Sequence, residues 1–93
     1  MKDTEKLARI FKILSVERRI RIIELLKRQP LCVNALAHFL GITQAAVSQH
    51  LRIMRDAEIV VGEKRGYFIH YRVNEGRLAE FSETARKVFE GDD

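Results

Sequence analysis

The chain of 93 residues carries 17 Lys and Arg against 13 Asp and Glu, a formal charge of +4 with His neutral, and one Cys. That length supports one small domain whose core is only marginally large enough to stand alone, and the positive balance favours a polyanionic partner, nucleic acid first. One Cys excludes an intramolecular disulfide framework, no apolar run nears the roughly 18–20 residues of a membrane span, and the acids within MKDTEKLARIFKIL exclude a clean signal core, so the expected setting is cytoplasmic without membrane contact.

Leu7, Ile10, Phe11 and Leu14 recur at helical spacing and predict an amphipathic helix from Thr4 to Leu14. Ser15 then offers an N-cap to the segment VERRIRIIELLKR. Its apolar residues Val16, Ile20, Ile22, Ile23, Leu25 and Leu26 cover more than half the helix circumference, which predicts the central and most buried helix, ended by Pro30. Residues 1–28 hold nine basic and four acidic side chains, residues 73–93 three basic and six acidic, so the C-terminal segment is the poorest candidate for touching DNA. No repeat, low-complexity segment or linker marks a second domain, and a single domain over residues 1–93 is expected.

Residues 33–60 read as two helices joined by a tight turn. The first, Val33 to Leu40, buries Leu36 with Phe39 or Leu40 and offers the small Ala37 at a close helix crossing. Gly41 suits the left-handed residue after a helix, and Thr43 is a good N-cap for the next. In that next helix Val47, Leu51 and Met54 face inward, leaving Gln44, Ala45, Ser48, Gln49 and Arg52 outside. An ordinary solvated face would carry Glu and Lys. This one carries short polar and amide side chains with Arg52 and Arg55 behind, a face able to enter a groove, read base edges and reach phosphate.

After Ile59 the period becomes alternating. Ile59 to Glu63 and Tyr67 to Val73 predict a β-hairpin whose turn centres on Lys64, Arg65 and Gly66. A basic tip is commonly just a solvated turn; beside a helix-turn-helix it reads as a DNA-contacting wing. The last segment, Asn74 to Glu90, is helical with the stripe Leu78, Phe81, Ala85, Val88 and Phe89. The small core has little room for both this stripe and that of the first helix, Leu7, Ile10 and Phe11, and a second copy would bury them. The fold class expected is mainly α with a small hairpin, ordered α-α-α-α-β-β-α, as a dimer.

Four stretches carry a family resemblance: RIRI at 19–22, AAVSQHLRIMRDAEIV at 45–60, Gly66 at the hairpin turn, and YRV at 71–73. In order and register the chain resembles the ArsR/SmtB family of winged-helix transcriptional regulators over nearly its whole length. The resemblance implies a homodimeric repressor that binds an inverted-repeat operator and is released by a signal. It implies DNA contacts at Thr43, Gln44, Ala45, Ser48, Gln49, His50 and Arg52, with Lys64 and Arg65 on the wing. His50 has an equal alternative as a partly buried packing residue; His70 is read as a strand surface residue and His38 as exposed. Two positions depart from the family pattern. Glu58 stands where glycine is common, costing on the order of 1 kcal/mol if the left-handed conformation is kept. Tyr67 stands where a basic residue commonly follows the wing glycine.

Family members that sense metal through the helix at 33–40 carry Cys-x-Cys, whereas here Cys32 is followed by Asn34, a poor ligand for a soft metal. Another family site uses His and carboxylates on the last helix, which here has no His. No metal or other cofactor is expected. Two readings of Cys32 stay open: a redox sensor, its thiol activated near a helix N-terminus, or a small packing residue at a capping position. Two rival functions also stand, an architectural DNA-binding protein without inducer and a winged-helix protein-interaction module. No nucleophile, paired-carboxylate or phosphate-loop pattern suggests an enzyme.

Overall fold

A computed structural model describes residues 2–91; the expected domain of 1–93 extends past these at either end. Helix α1 runs Asp3–Leu14, with Asp3 and Glu5 in its first turn and Lys12 in its last, charges that complement the helix dipole. Ser15 is not the N-cap of the next helix. Its backbone stays helical, and its hydroxyl donates to the Lys12 carbonyl at 2.8 Å, closing α1. Val16, with extended backbone, precedes α2 (Glu17–Arg28) without a side-chain cap. Gln29 is extended, as the residue before a proline prefers.

Ile22 and Leu26 of α2 are buried, but Ile20 is 46 % exposed, so α2 is not the most buried helix. That place belongs to α4 (Gln44–Asp56), which buries Val47, Leu51 and Met54. Between them α3 (Val33–Leu40) buries Leu36 while Phe39 stays exposed. Gly41 follows at φ 67° and ψ 33°, the left-handed conformation that costs glycine little, and its N–H donates to the Ala37 carbonyl. Thr43 then caps α4, its hydroxyl accepting from the Ala46 N–H at 3.1 Å.

Helix α4 closes in a Schellman arrangement, with Glu58 N–H donating to the Arg55 carbonyl and Ile59 N–H to the Met54 carbonyl. Glu58 takes φ 61°, the only positive φ at a non-glycine residue among those described. The left-handed cap is therefore kept without its glycine. A side chain there costs roughly 1–2 kcal/mol, and glycine would give back up to about 1 kcal/mol as unfolded-state freedom. Glu58→Gly is expected to stabilise the fold by about 0.5–1 kcal/mol in denaturant titration. A lower midpoint would show that the Glu58 side chain contributes more than its backbone costs.

The hairpin strands are β2 (Val60–Arg65) and β3 (Phe68–Val73), and a short strand β1 (Leu31–Cys32), absent from the sequence expectation, pairs antiparallel with β3. The sheet order is β1-β3-β2. Arg65 pairs with Phe68, so the turn is the two residues Gly66 and Tyr67, and Lys64 and Arg65 lie in strand β2. Gly66 supplies the positive φ, 63°, that a tight two-residue hairpin turn needs. Val60 and Val73 face each other and are buried, which turns that face of the hairpin base into the core. The core joins Ile22, Leu26, Leu31, Leu36, Val47, Leu51, Met54, Ile59, Val60 and Val73.

Asn74 opens α5 (Glu75–Glu90), its side chain accepting from the Arg77 N–H at 3.2 Å. Lys27 pairs with Glu75 at 2.9 Å, but both are solvated, and such a pair adds little stability. Helix α5 packs on α1 yet has no buried residue over its sixteen positions.

Candidate nucleic-acid interface

The inward stripe of α4 fixes what its other side presents. With Val47, Leu51 and Met54 in the core, Gln44, Ala45, Ser48, Gln49 and Arg52 are all exposed, as is the cap Thr43. The Thr43 cap and the tight Gly41 turn hold the N-terminus of this polar face against α3. One contact was not legible in the chain's pattern: the Gln44 side-chain N–H donates to the Asn34 side-chain oxygen on α3. That bond orients the Gln44 amide and leaves its oxygen free to accept.

His50 departs from the outward face. It is half-buried, and its Nδ1 accepts from the Arg19 Nε–H of α2 at 3.1 Å. Burial, then the charges of Arg19 and Arg18, hold its pKa below the ordinary 6.5. The Arg19 bond ties His50 between α2 and α4, the geometry of the packing alternative the sequence left open.

Lys64 and Arg65 are both exposed, but on opposite faces of β2, with Lys64 opposite Ile69 and Arg65 opposite Phe68. Tyr67 stands at the tip, 99 % exposed. Among the described residues the salt bridges engage Lys27, Arg72, Arg77 and Arg86, and none involves Arg52, Arg55, Lys64 or Arg65. Arg52 and Arg55 of α4 and Lys64 and Arg65 of the wing keep their charge for an outside partner, whereas Arg72 of the wing is paired with Glu63 and the arginines of α5 are largely neutralised by neighbouring acids. Glu63 belongs to the internal set. The Arg72 hydrogen bond at 2.6 Å, then Arg72's charge, hold its carboxyl below the usual range. A shallow cleft links the two halves of this surface, lined by Asn34 and Gln44 on one side and Tyr67, Phe68 and Ile69 on the other.

The apolar residues expected at a dimer interface divide. Leu7 and Ile10, 5 % and 4 % exposed, are already buried within the chain where α1 packs on α5 and α2, which corrects the expectation that they wait for a partner. Leu78, Phe81 and Ala85 are half-buried. Phe11 and Phe89 stack with ring centroids 6.1 Å apart, yet both remain exposed, Phe89 at 70 %, and Val88 beside them is exposed too. An open groove of about 1010 Å³ runs between α1, the end of α4 and α5, with Ile13, Ile53 and Phe81 among its walls.

Cys32 is half-buried with extended backbone just before α3, and its sulfur makes no cap hydrogen bond. It pairs across the sheet with His70, which is half-buried and not the surface residue expected; the His70 Nδ1 is buried without a hydrogen-bond partner. Among the described residues no group of three His, Cys, Asp or Glu could hold a metal ion. The lone thiol and the Asn34 amide do not make a donor set for a soft metal. No helix of the described residues is long and apolar enough to cross a membrane.

A helix-turn-helix whose second helix opens on an amide and hydroxyl face backed by Arg52 and Arg55, set beside a cationic hairpin, defines a winged helix-turn-helix DNA-binding regulator. Residues 17–61 match the family model described as bacterial regulatory protein, arsR family. The transcriptional repressor SdpR of Bacillus subtilis is 32 % identical over 65 residues, 70 % of this chain and 72 % of SdpR. The transcriptional repressor SmtB of Mycobacterium tuberculosis is 36 % identical over 70 residues, 75 % of this chain and about half of SmtB, 52 %. An ArsR-like transcriptional regulator from Rhodococcus superposes with a TM-score of 0.82 at 28 % identity, over 94 % of this chain and 82 % of that one. The chain belongs to the ArsR/SmtB family of transcriptional regulators. Its family and fold are those of DNA-binding regulators, which are not enzymes.

Proposed function

We propose that the chain is a homodimeric repressor, a single domain over residues 1–93, acting in the cytoplasm, that binds an inverted-repeat operator and is released by a signal. The observation that carries this reading is the outward face of α4: amide and hydroxyl side chains toward a groove, flanked by Arg52, Arg55, Lys64 and Arg65, none in a salt bridge among the described residues. Each recognition helix enters a major groove, and each wing follows the neighbouring backbone with Tyr67 at its tip. Two-fold symmetry sets the half-sites about one helical turn apart, or a multiple of that. Dimerisation is supported by the unburied α5 and by the exposed cluster of Phe11, Val88 and Phe89.

Selection of bound sequences from a random DNA pool tests the reading. A palindromic motif is expected. Gln44→Ala and Ser48→Ala should change the preferred bases, while Arg52→Ala and Lys64→Ala should weaken binding to all sequences and lower the salt slope by about one each. Affinity that depends on salt but not on sequence would instead make the protein architectural, and no binding at low salt would make the fold a docking module. Repeating the selection with mildly oxidised protein separates the two readings of Cys32: the same motif from both samples makes it a packing residue.

A further inference from the structure

Among the described residues Arg19 is the one side chain whose hydrogen bonds link three helices. From α2 its Nε–H donates to His50 Nδ1 on the recognition helix at 3.1 Å, and its terminal Nη1–H donates to the Ile13 carbonyl near the end of α1, also at 3.1 Å. The planar guanidinium can hold both acceptors at once because its donors leave in fixed, diverging directions. Accepting at Nδ1 requires that nitrogen to be unprotonated, which puts the neutral ring's proton on Nε2. Among the described residues Nε2 has no hydrogen-bond partner, and it is not buried.

We infer that Arg19 is a positioning residue for the recognition helix, a strut that sets α4 against α2 and α1 through His50 and that breaks when His50 takes up a proton. Protonation removes the acceptor and places an imidazolium against a guanidinium. The charged groups acting on the ring are Arg19 and Arg18, both cationic and both on α2; no carboxylate is among them, and α1 reaches the ring only through Arg19 and the Ile13 carbonyl. The folded pKa of His50 lies below 6.5, so the unfolded chain binds this proton more readily. The stability this neutral ring contributes is therefore full above about 6.5 and is lost as pH falls from there through the folded value. In acid the strut releases the helix that carries Gln44, Ser48 and Arg52. The consequence for operator binding rests on the function proposed above; the strut itself does not.

The first measurement is therefore made without DNA. Nitrogen-15 NMR of the free protein should show His50 in the Nε2–H form with a titration midpoint below 6.5, and Arg19→Met, which keeps the apolar stem, should move that midpoint upward. A proton on Nδ1, or a midpoint indifferent to Arg19→Met, overturns the strut. The second measurement is operator affinity across pH for the wild type and for His50→Asn, whose Oδ1 stands where Nδ1 does and can accept from Arg19 without titrating, with circular dichroism confirming that both stay folded. Between about pH 7.5 and about pH 5.5 the wild type should lose several-fold more affinity than His50→Asn, with about tenfold as the upper limit that linkage sets for a midpoint under 6.5. Parallel pH profiles overturn the role in DNA binding. If the wild type binds no operator at any pH, the proposed function fails, while the NMR experiment still decides the strut.

Discussion

Phe89→Asp is expected to make the protein monomeric and to weaken operator binding by about two orders of magnitude, since two linked half-site contacts exceed either alone by roughly 10²–10⁴-fold. The Phe89 ring is 70 % exposed, close to Val88 and stacked on an exposed Phe11, so its outer surface has no cover among the described residues. A carboxylate placed there would have to be desolvated on pairing, without a cation assigned to receive it. Sedimentation velocity reads the mass, and binding to full and half operators reads the linkage. The intrachain stack with Phe11 is also lost, at a cost of about 0.5–1.5 kcal/mol, so Phe89→Leu serves as the control that keeps an apolar surface. A Phe89→Asp variant that remains dimeric would remove this cluster from the interface and direct attention to the groove between α1, α4 and α5.

The second large effect is in the core. Leu51→Ala should cost about 2–5 kcal/mol, through lost apolar transfer and the cavity left behind. Leu51 is 2 % exposed and sits between Val47 and Met54 on the inward stripe of α4. Domains of this size have roughly 5–15 kcal/mol of stability in all. The variant should therefore show a much lower urea midpoint, and operator binding should fall at temperatures where the wild type is intact. Binding restored in the cold would assign the loss to stability; a variant as stable as the wild type would mean that the site collapses around the missing atoms.

How much of this was legible beforehand depended on how local the cause was. Val33–Leu40, Gly41 and Thr43 stand where period, glycine and cap place them. The outward amide face followed from Val47, Leu51 and Met54 by helix geometry alone. Strand β1 was not legible, because two residues have no period to read. Ser15 suits the end of one helix as well as the start of the next, and its bond to Lys12 settled which. Lys64 and Arg65 moved from the turn into the strand once Gly66 and Tyr67 sufficed to close it. The Asn34 contact to Gln44 and the Arg19 contact to His50 had no signal beyond residue type, since they join separate helices.

The sequence by itself determined the elements, their caps and the side each helix turns outward, because propensity and periodicity act within a few residues of chain. Only the tertiary structure decided what covers each apolar stripe and which polar groups pair. Leu7 and Ile10 read as an interface awaiting a second copy and are buried within their own chain, whereas Phe89, on the same kind of stripe, is left open. Apolar burial is non-directional, so a stripe states that something must cover it without naming what. The His50 bond is the converse. Hydrogen bonds are directional, and one between residues 31 positions apart exists only once packing has brought the two helices together.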